Sequence, residues 1–189
     1  MKNLYILAGC NGAGKTTTAY ALLPNLLGCR EFVNADEIAR GLSPFQPETV
    51  SVQAGRLMLT RLRELLAAGE TFALETTLAT RHYLGFIQEA RQRGYVVHLL
   101  FFWLSSVEAA VERVRVRVLE GGHNIPEEVI RRRYELGLQY FFGRYQNAVD
   151  SWTFVDNTKG NPKKIAEFNS GQLVTLDPVT WQLLTTRYA

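Results

Sequence analysis

Gly9-Cys10-Asn11-Gly12-Ala13-Gly14-Lys15-Thr16 matches the pattern GxxxxGK[ST] at every fixed position. The apolar run Leu4–Ala8 precedes it, and a helix-forming run through Tyr20, Ala21, Leu22 and Leu23 follows. Strand, glycine loop and helix in that order build a cradle for phosphate. The glycines let the backbone fold around phosphate oxygens, and the helix N-terminus presents N–H groups and the positive end of its dipole. Lys15 adds a mobile cation near the β- and γ-phosphates, and Thr16 offers its hydroxyl to magnesium. Thr17 is a weaker contact, to the α-phosphate. The expected ATP-binding set is Gly9, Asn11, Gly12, Ala13, Gly14, Lys15, Thr16 and Thr17. Cys10 has no sequence partner for metal or triad chemistry and reads as a small loop side chain.

Outward from this loop, strand and helix alternate. A second strand is expected at Glu31–Ala35, ending at Asp36, and a helix over 47–68 with Val50, Ala54, Leu57, Met58, Leu62 and Leu65 on one stripe. A third strand at Phe72–Leu74 closes on Glu75-Thr76-Thr77, and residues 80–93 read as helix. Tyr95–Leu104 lacks strict alternation, as befits a strand covered on both faces. A helix capped by Ser105 or Ser106 runs to about Glu120, and another opens at Pro126-Glu127-Glu128. Trp152–Val155 is a fifth strand. Ile165–Phe168 and Leu173–Leu176, joined through Asn169-Ser170-Gly171, resemble a hairpin, and Asp177-Pro178 starts a last helix.

The expected fold is a three-layer α/β/α of the P-loop NTPase, nucleotide-kinase-like type. It has a mostly parallel five-stranded sheet, a helical lid and a C-terminal β-hairpin. Residues 1–160 would form the kinase core, with the lid at about 113–135, and 161–189 an extension packed on it.

The chain has 189 residues, 47% of them hydrophobic and 39 charged, which suits one globular domain and excludes disorder. Net charge is +3, and the 105–135 segment holds six Arg and six Glu, which cancel. Nucleic acid is therefore not the expected main partner. Two cysteines without a CxxC pair suit a reducing cytoplasm. The start MKNLYILAG turns polar too soon for a signal peptide, and the longest apolar stretch, Tyr95–Leu104, spans ten residues where a membrane helix needs about twenty. A soluble cytoplasmic protein is expected, with no membrane association.

In an open parallel sheet, ligands bind beyond the carboxyl ends of the strands. Three such ends carry polar groups: Asn34/Asp36, Glu75-Thr76-Thr77 and Asp156-Asn157. Asp36 can take a proton from an acceptor hydroxyl, or else cap a helix or ligate magnesium. Glu75 binds either a hydroxyl or a magnesium-bound water, and Thr77 orients the acceptor. Asn157 either contacts the base or turns the chain. No apolar strand ending in Asp occurs downstream as a Walker B, which argues against a motor or AAA-type ATPase.

Arg113 and Arg117 lie four apart on one helical face, and a second helix carries Arg131, Arg132 and Arg133 beyond Gly121-Gly122. Two arginine-bearing helices around a glycine turn can close over a transferred phosphate. Arg117 and at least one of Arg131 and Arg132 are expected to act there. His123 touches phosphate or sugar, or is a structural turn.

GCNGAGKTT (9–17), FVNADEIAR (32–40), FALETT (72–77), RVRVLEGGHNIPEEVIRRRY (115–134) and FVDNT (154–158) together resemble the zeta toxin family of P-loop kinases, in particular its short stand-alone members. The resemblance implies a nucleotide-kinase fold and an enzyme using ATP and magnesium to phosphorylate UDP-N-acetylglucosamine at its 3′-hydroxyl. It places the catalytic aspartate at Asp36 and acceptor contacts at Glu75 and Thr77. Arg40, within the second motif, joins the acceptor set. It makes Arg113 or Arg117 a transition-state contact, with Arg131 or Arg132 replacing a second lid arginine of those toxins that falls near His123. It also implies an antitoxin-like partner.

The expected function is ATP-dependent transfer of the γ-phosphate to a small-molecule hydroxyl. An ATP-binding or ATP-hydrolysing switch and a nucleic-acid end kinase are the alternatives.

Overall fold

The structure is a computed structural model and describes residues 2–122 and 124–189. Seven strands form one sheet in the order β2-β3-β1-β4-β5-β6-β7. The first five in chain order are β1 (Lys2–Gly9), β2 (Glu31–Val33), β3 (Phe72–Thr76), β4 (Tyr95–Trp103) and β5 (Ser151–Asp156), and they pair in parallel. β6 (Lys163–Asn169) and β7 (Gln172–Thr175) add an antiparallel edge, so the sheet is mixed. The expected hairpin is present, but it continues the main sheet as strands six and seven. Its turn uses Ser170 and Gly171, both at positive φ (52° and 79°), as a two-residue hairpin turn requires.

The middle one of the five parallel strands is β1, whose Leu4, Ile6, Leu7 and Ala8 are fully buried. Consecutive positions face opposite sides of a sheet, so burial of Ile6, Leu7 and Ala8 together means that both faces are covered. The covering helices are α1 (Lys15–Leu26), α2 (Ala35–Leu42), α3 (Ser51–Ala68), α4 (His82–Gln92), α5 (Val107–Leu119), α6 (Glu127–Gly143) and α7 (Pro178–Tyr188). None of them is long and apolar enough to cross a membrane, among the described residues.

Several boundaries differ from expectation for local reasons. The second strand stops at Val33 because the Asn34 side chain accepts from Asp36 N at 2.8 Å and starts α2. This eight-residue helix begins at Ala35, where the second strand was expected to end, and its cap is Asn34 and not Asp36. The expected 47–68 helix begins with a 3₁₀ turn at Pro47–Val50 before α3. Leu57, assigned to its buried stripe, is 42% exposed, whereas Ala54, Met58, Leu62 and Leu65 are buried. α5 is capped by Ser106, whose Oγ accepts from Ala109 N at 3.2 Å. It ends where Gly122 N donates to Arg117 O at 2.8 Å and Gly121 N to Val118 O at 3.0 Å, the paired bonds of a Schellman turn.

Candidate active site

The phosphate loop joins β1 to α1 in the middle of the parallel strands, where their carboxyl ends open. α1 begins after Gly14 (φ 82°) with no side-chain cap and no acidic residue in its first turn. Its leading N–H groups thus lack the usual intramolecular partners and suit an anion. Glycine is required at position 14 on two counts: φ is positive, and a Cβ there would lie 2.4 Å from Asn157 Nδ2. Asn157 is buried, and its Nδ2 donates to Ala13 O at 2.8 Å. Its amide therefore braces the loop from behind.

Arg113 reinforces the same brace. Its Nη1 donates to Gly12 O at 3.3 Å, and its Nη2 to Asn157 O and Thr158 O at 2.8 and 3.0 Å. The guanidinium thus ties the loop to the end of β5.

Inside the loop, Lys15 is 6% exposed. Its Nζ donates to Cys10 O at 2.9 Å and lies 3.6 Å from Glu75 Oε1. Glu75 is the hub of the site. Its Oε2 accepts from Thr16 Oγ1 at 2.7 Å and from Asn34 Nδ2 at 2.9 Å. One carboxylate at the end of β3 therefore connects the phosphate loop to the start of α2. Asn34 performs two tasks, since its Oδ1 caps Asp36 N while its Nδ2 holds Glu75. The cap that an aspartate at position 36 could have supplied comes from Asn34, which leaves the Asp36 carboxylate exposed at the mouth.

Two cavities meet here. One, of 300 Å³, runs along Asn11, Gly12, Gly14, Lys15, Thr16, Thr17, Arg113 and Arg117. The other, of 230 Å³, is walled by Asn34, Met58, Thr76, Thr77, Thr80, Tyr83 and Arg133. Asn11, Lys15, Asp36 and Glu75 border both. Beside the second cavity the chain turns sharply after β3: Leu78 adopts φ 58°, and Thr76 Oγ1 accepts from Leu78 N at 3.0 Å. A buried leucine in the left-handed region is strained backbone of the kind that gathers at functional sites.

The other expected residues are placed as follows. Arg117 borders the phosphate-loop cavity. Arg131 borders neither cavity; it pairs with Glu108 at 3.0 Å and Glu127 at 2.8 Å. Arg132 is exposed and also borders neither. Arg40 pairs with Glu37 at 2.9 Å and lines a separate cleft with Phe45, Gly121 and Pro126. His123 lies outside the described residues. Gly9 ends β1, where a Cβ would meet Phe102 O at 2.2 Å.

Sequence reasoning passed over Arg133, whose Nη1 donates to Asn11 Oδ1 at 3.2 Å. The helical period does not single it out: Arg131, three residues before Tyr134 and seven before Leu138, falls within the buried stripe of α6, whereas Arg133 stands at its edge, three after Ile130 and four before Gly137.

The family model for an AAA domain matches residues 4–137. The chain belongs to that family. This overturns the expectation that set AAA-type ATPases aside for want of a downstream Walker B aspartate. The acid at the end of an apolar strand beside β1 is a glutamate, Glu75, and its contact with Thr16 appears only in the folded chain.

An uncharacterized protein of Haemophilus influenzae is 29% identical over 126 residues, which is 67% of this chain and 88% of that protein. Among solved structures, AvrRxo1-ORF1 in its complex with AvrRxo1-ORF2 and sulphate ions superposes with a TM-score of 0.78 at 18% identity. A form of that complex with ATP gives 0.75. The match covers 98% of this chain but 64% of the AvrRxo1 chain. The PezAT chromosomal toxin–antitoxin system of Streptococcus pneumoniae gives 0.65 at 15% identity, over 98% of this chain and 86% of that one. These likenesses establish the fold of this AAA-domain protein: a three-layer α/β/α of P-loop, nucleotide-kinase-like architecture.

Proposed function

We propose that this chain transfers the γ-phosphate of ATP to a hydroxyl of a small molecule. The observation that carries this reading is the meeting of two cavities at Lys15, Asp36 and Glu75, one along the phosphate loop and one beyond it. A nucleotide-sensing switch needs only the first.

Loop N–H groups and Lys15 hold the phosphates, and Arg117, beside them, offsets charge during transfer. Asp36 orients the acceptor hydroxyl and takes its proton. The freed oxygen bonds to the γ-phosphorus as the bond to the β–γ bridging oxygen breaks, and ADP leaves. Thr16 and Glu75 are suited to magnesium. Among the described residues no cluster of three His, Cys, Asp or Glu side chains could hold a metal alone, which fits an ion shared with nucleotide phosphates. Magnesium, when bound, would neutralise phosphate charge. Lys15 and Glu75 would keep that charge positioned against Thr16.

The named acceptor candidate is the 3′-hydroxyl of UDP-N-acetylglucosamine. It is supported by the resemblance to zeta toxins and by the fold shared with PezAT, described as a toxin–antitoxin system. An antitoxin-like partner rests on that same likeness and on the two-protein AvrRxo1 complexes. The α5–α6 pair, about 113–135, would be the lid of a core spanning 1–160, with 161–189 its extension. A nucleic-acid end kinase is disfavoured because Arg131 is already paired with Glu108 and Glu127.

Mass spectrometry of ATP-dependent products across nucleotide sugars, nucleosides and small metabolites tests the reading. A phosphorylated product is expected. Asp36→Asn should slow its formation about 10²–10⁴-fold while ATP still binds, and Lys15→Ala should weaken ATP binding. Undiminished product from Asp36→Asn would remove the aspartate from the chemistry.

A further inference from the structure

Four charged side chains border the 230 Å³ cavity: Lys15, Asp36, Glu75 and Arg133. Three of them have other work. Glu75 holds Thr16, Asn34 and Lys15. Lys15 faces the phosphate loop as well, and Asp36 stands at the boundary between the cavities.

Arg133 is different. It borders this cavity and not the phosphate-loop one, and it is half-buried. Its Nη1 donates to a neutral acceptor, Asn11 Oδ1. Among the described residues no carboxylate lies within ion-pairing distance of it, whereas its neighbour Arg131 has two. Burial without a paired anion disfavours a charge. The guanidinium pKa is accordingly lowered, mainly by desolvation, with Asp36 pulling it back up and Arg132 pushing it down. Arginine nevertheless stays ionised, and its planar fork suits two oxygens of one phosphate or carboxylate.

We propose that Arg133 binds an anionic group of the acceptor, so that the substrate is a small hydroxyl compound bearing a phosphate or carboxylate beside the reacting alcohol. This rests on the acceptor reading of the cavity given above. At 230 Å³ the space falls below the roughly 300–1,000 Å³ that encloses drug-sized ligands. It takes one ring or a short chain, and any larger remainder of the substrate lies outside. The hydrogen bond to Asn11 links the anion site to the phosphate loop, so the acceptor's charge and the nucleotide's are held in one network.

The test uses the full chain saturated with magnesium and a non-hydrolysable ATP analogue, so that the phosphate loop is already filled. Calorimetric titration then compares glycerol 3-phosphate with glycerol, glucose 6-phosphate with glucose, and gluconate with glucose. At least one anionic member should bind about tenfold or more tighter than its neutral counterpart. The phosphate and carboxylate arms show which anion is preferred. Arg133→Gln should abolish the preference, and Arg133→Lys should restore part of it. Far-UV circular dichroism and the melting temperature of each variant, expected to match the parent protein closely, report that the fold is intact. The proposal is overturned if no anionic member is preferred, or if the preference survives in Arg133→Gln.

Turnover with ATP separates the two readings. An Arg133-dependent anion preference without phosphoryl transfer would leave the anion site standing and remove the kinase. Transfer to a neutral acceptor with KM unchanged in Arg133→Gln would do the reverse. A rise in acceptor KM at constant kcat marks acceptor binding, and a fall in kcat alone would move Arg133 to the transferred phosphate and overturn the proposal.

Discussion

Cys10 sits second in the phosphate loop, yet its thiol is 5% exposed. Burial pushes its pKa up to about 11, with Lys15 and Arg113 pulling the other way. Proximity to cations would activate an exposed cysteine, but here desolvation wins. Cys29 is also buried, and its pKa is likewise raised by burial. An alkylating reagent at pH 8 should therefore leave both cysteines unmodified in the native protein and label both after denaturation, as read by intact mass. Early labelling of Cys10 would show that the loop opens. Asn34 and Glu75 are the reverse case, polar groups whose partners are all specific. Removing either leaves a donor or acceptor on Thr16, Asp36 or its counterpart without its bond.

At the scale of elements, the acceptor cavity depends on how closely α6 approaches the end of β3. Gly137 makes that approach possible, since a Cβ there would lie 2.8 Å from Thr77 O. Arg133 projects into the cavity wall one helical turn earlier. Gly137→Ala should lower the melting temperature despite the gain in helix propensity, because backbone on backbone cannot yield without moving the helix. The expected net cost is about 1–3 kcal/mol. Gly85→Ala in α4 is the control. It is exposed, a Cβ there meets nothing within 4 Å, and it should stabilise by about 0.8–1 kcal/mol. Chemical denaturation of the two variants beside the parent protein checks both signs.

For the whole molecule, the order β2-β3-β1-β4-β5 puts the phosphate loop on the central strand and the carboxyl ends of β2 and β3 to one side of it. Asp36 and Glu75 reach the loop from those ends. The antiparallel edge does not enter the site but completes the core: Trp181 of α7 stacks on Trp152 at 5.2 Å and meets Phe142 at the same distance. His98 lies in the middle of β4, stacked on Tyr5 and within 2.6 Å of Ser151 Oγ. Desolvation lowers its pKa below the ordinary 6.5, with Asp150 opposing. The unfolded chain then binds the proton more readily than the native one. The stability this contributes is complete above about pH 6.5 and is lost as pH falls through the native pKa. Urea midpoints at pH 7.5 and 5.5 should differ more in the parent protein than in His98→Gln. An equal drop in both would place the acid sensitivity elsewhere.

The strand–loop–helix stretch from Leu4 to Thr17, the alternation of β and α, and the hairpin at Ser170-Gly171 were legible because each rests on local rules: glycine spacing, hydrophobic period and turn chemistry. The same rules do not single out Arg133, since Arg131 falls nearer the middle of the buried stripe of α6. What they do not contain is distance across the fold. That Glu75 meets Thr16 across 59 residues, that Asn34 and not Asp36 caps α2, and that Arg131 is spent on Glu108 were decided by tertiary packing. Charges four apart on a helix announce a face. Only the order of strands in the sheet determines which charges on other elements that face will meet.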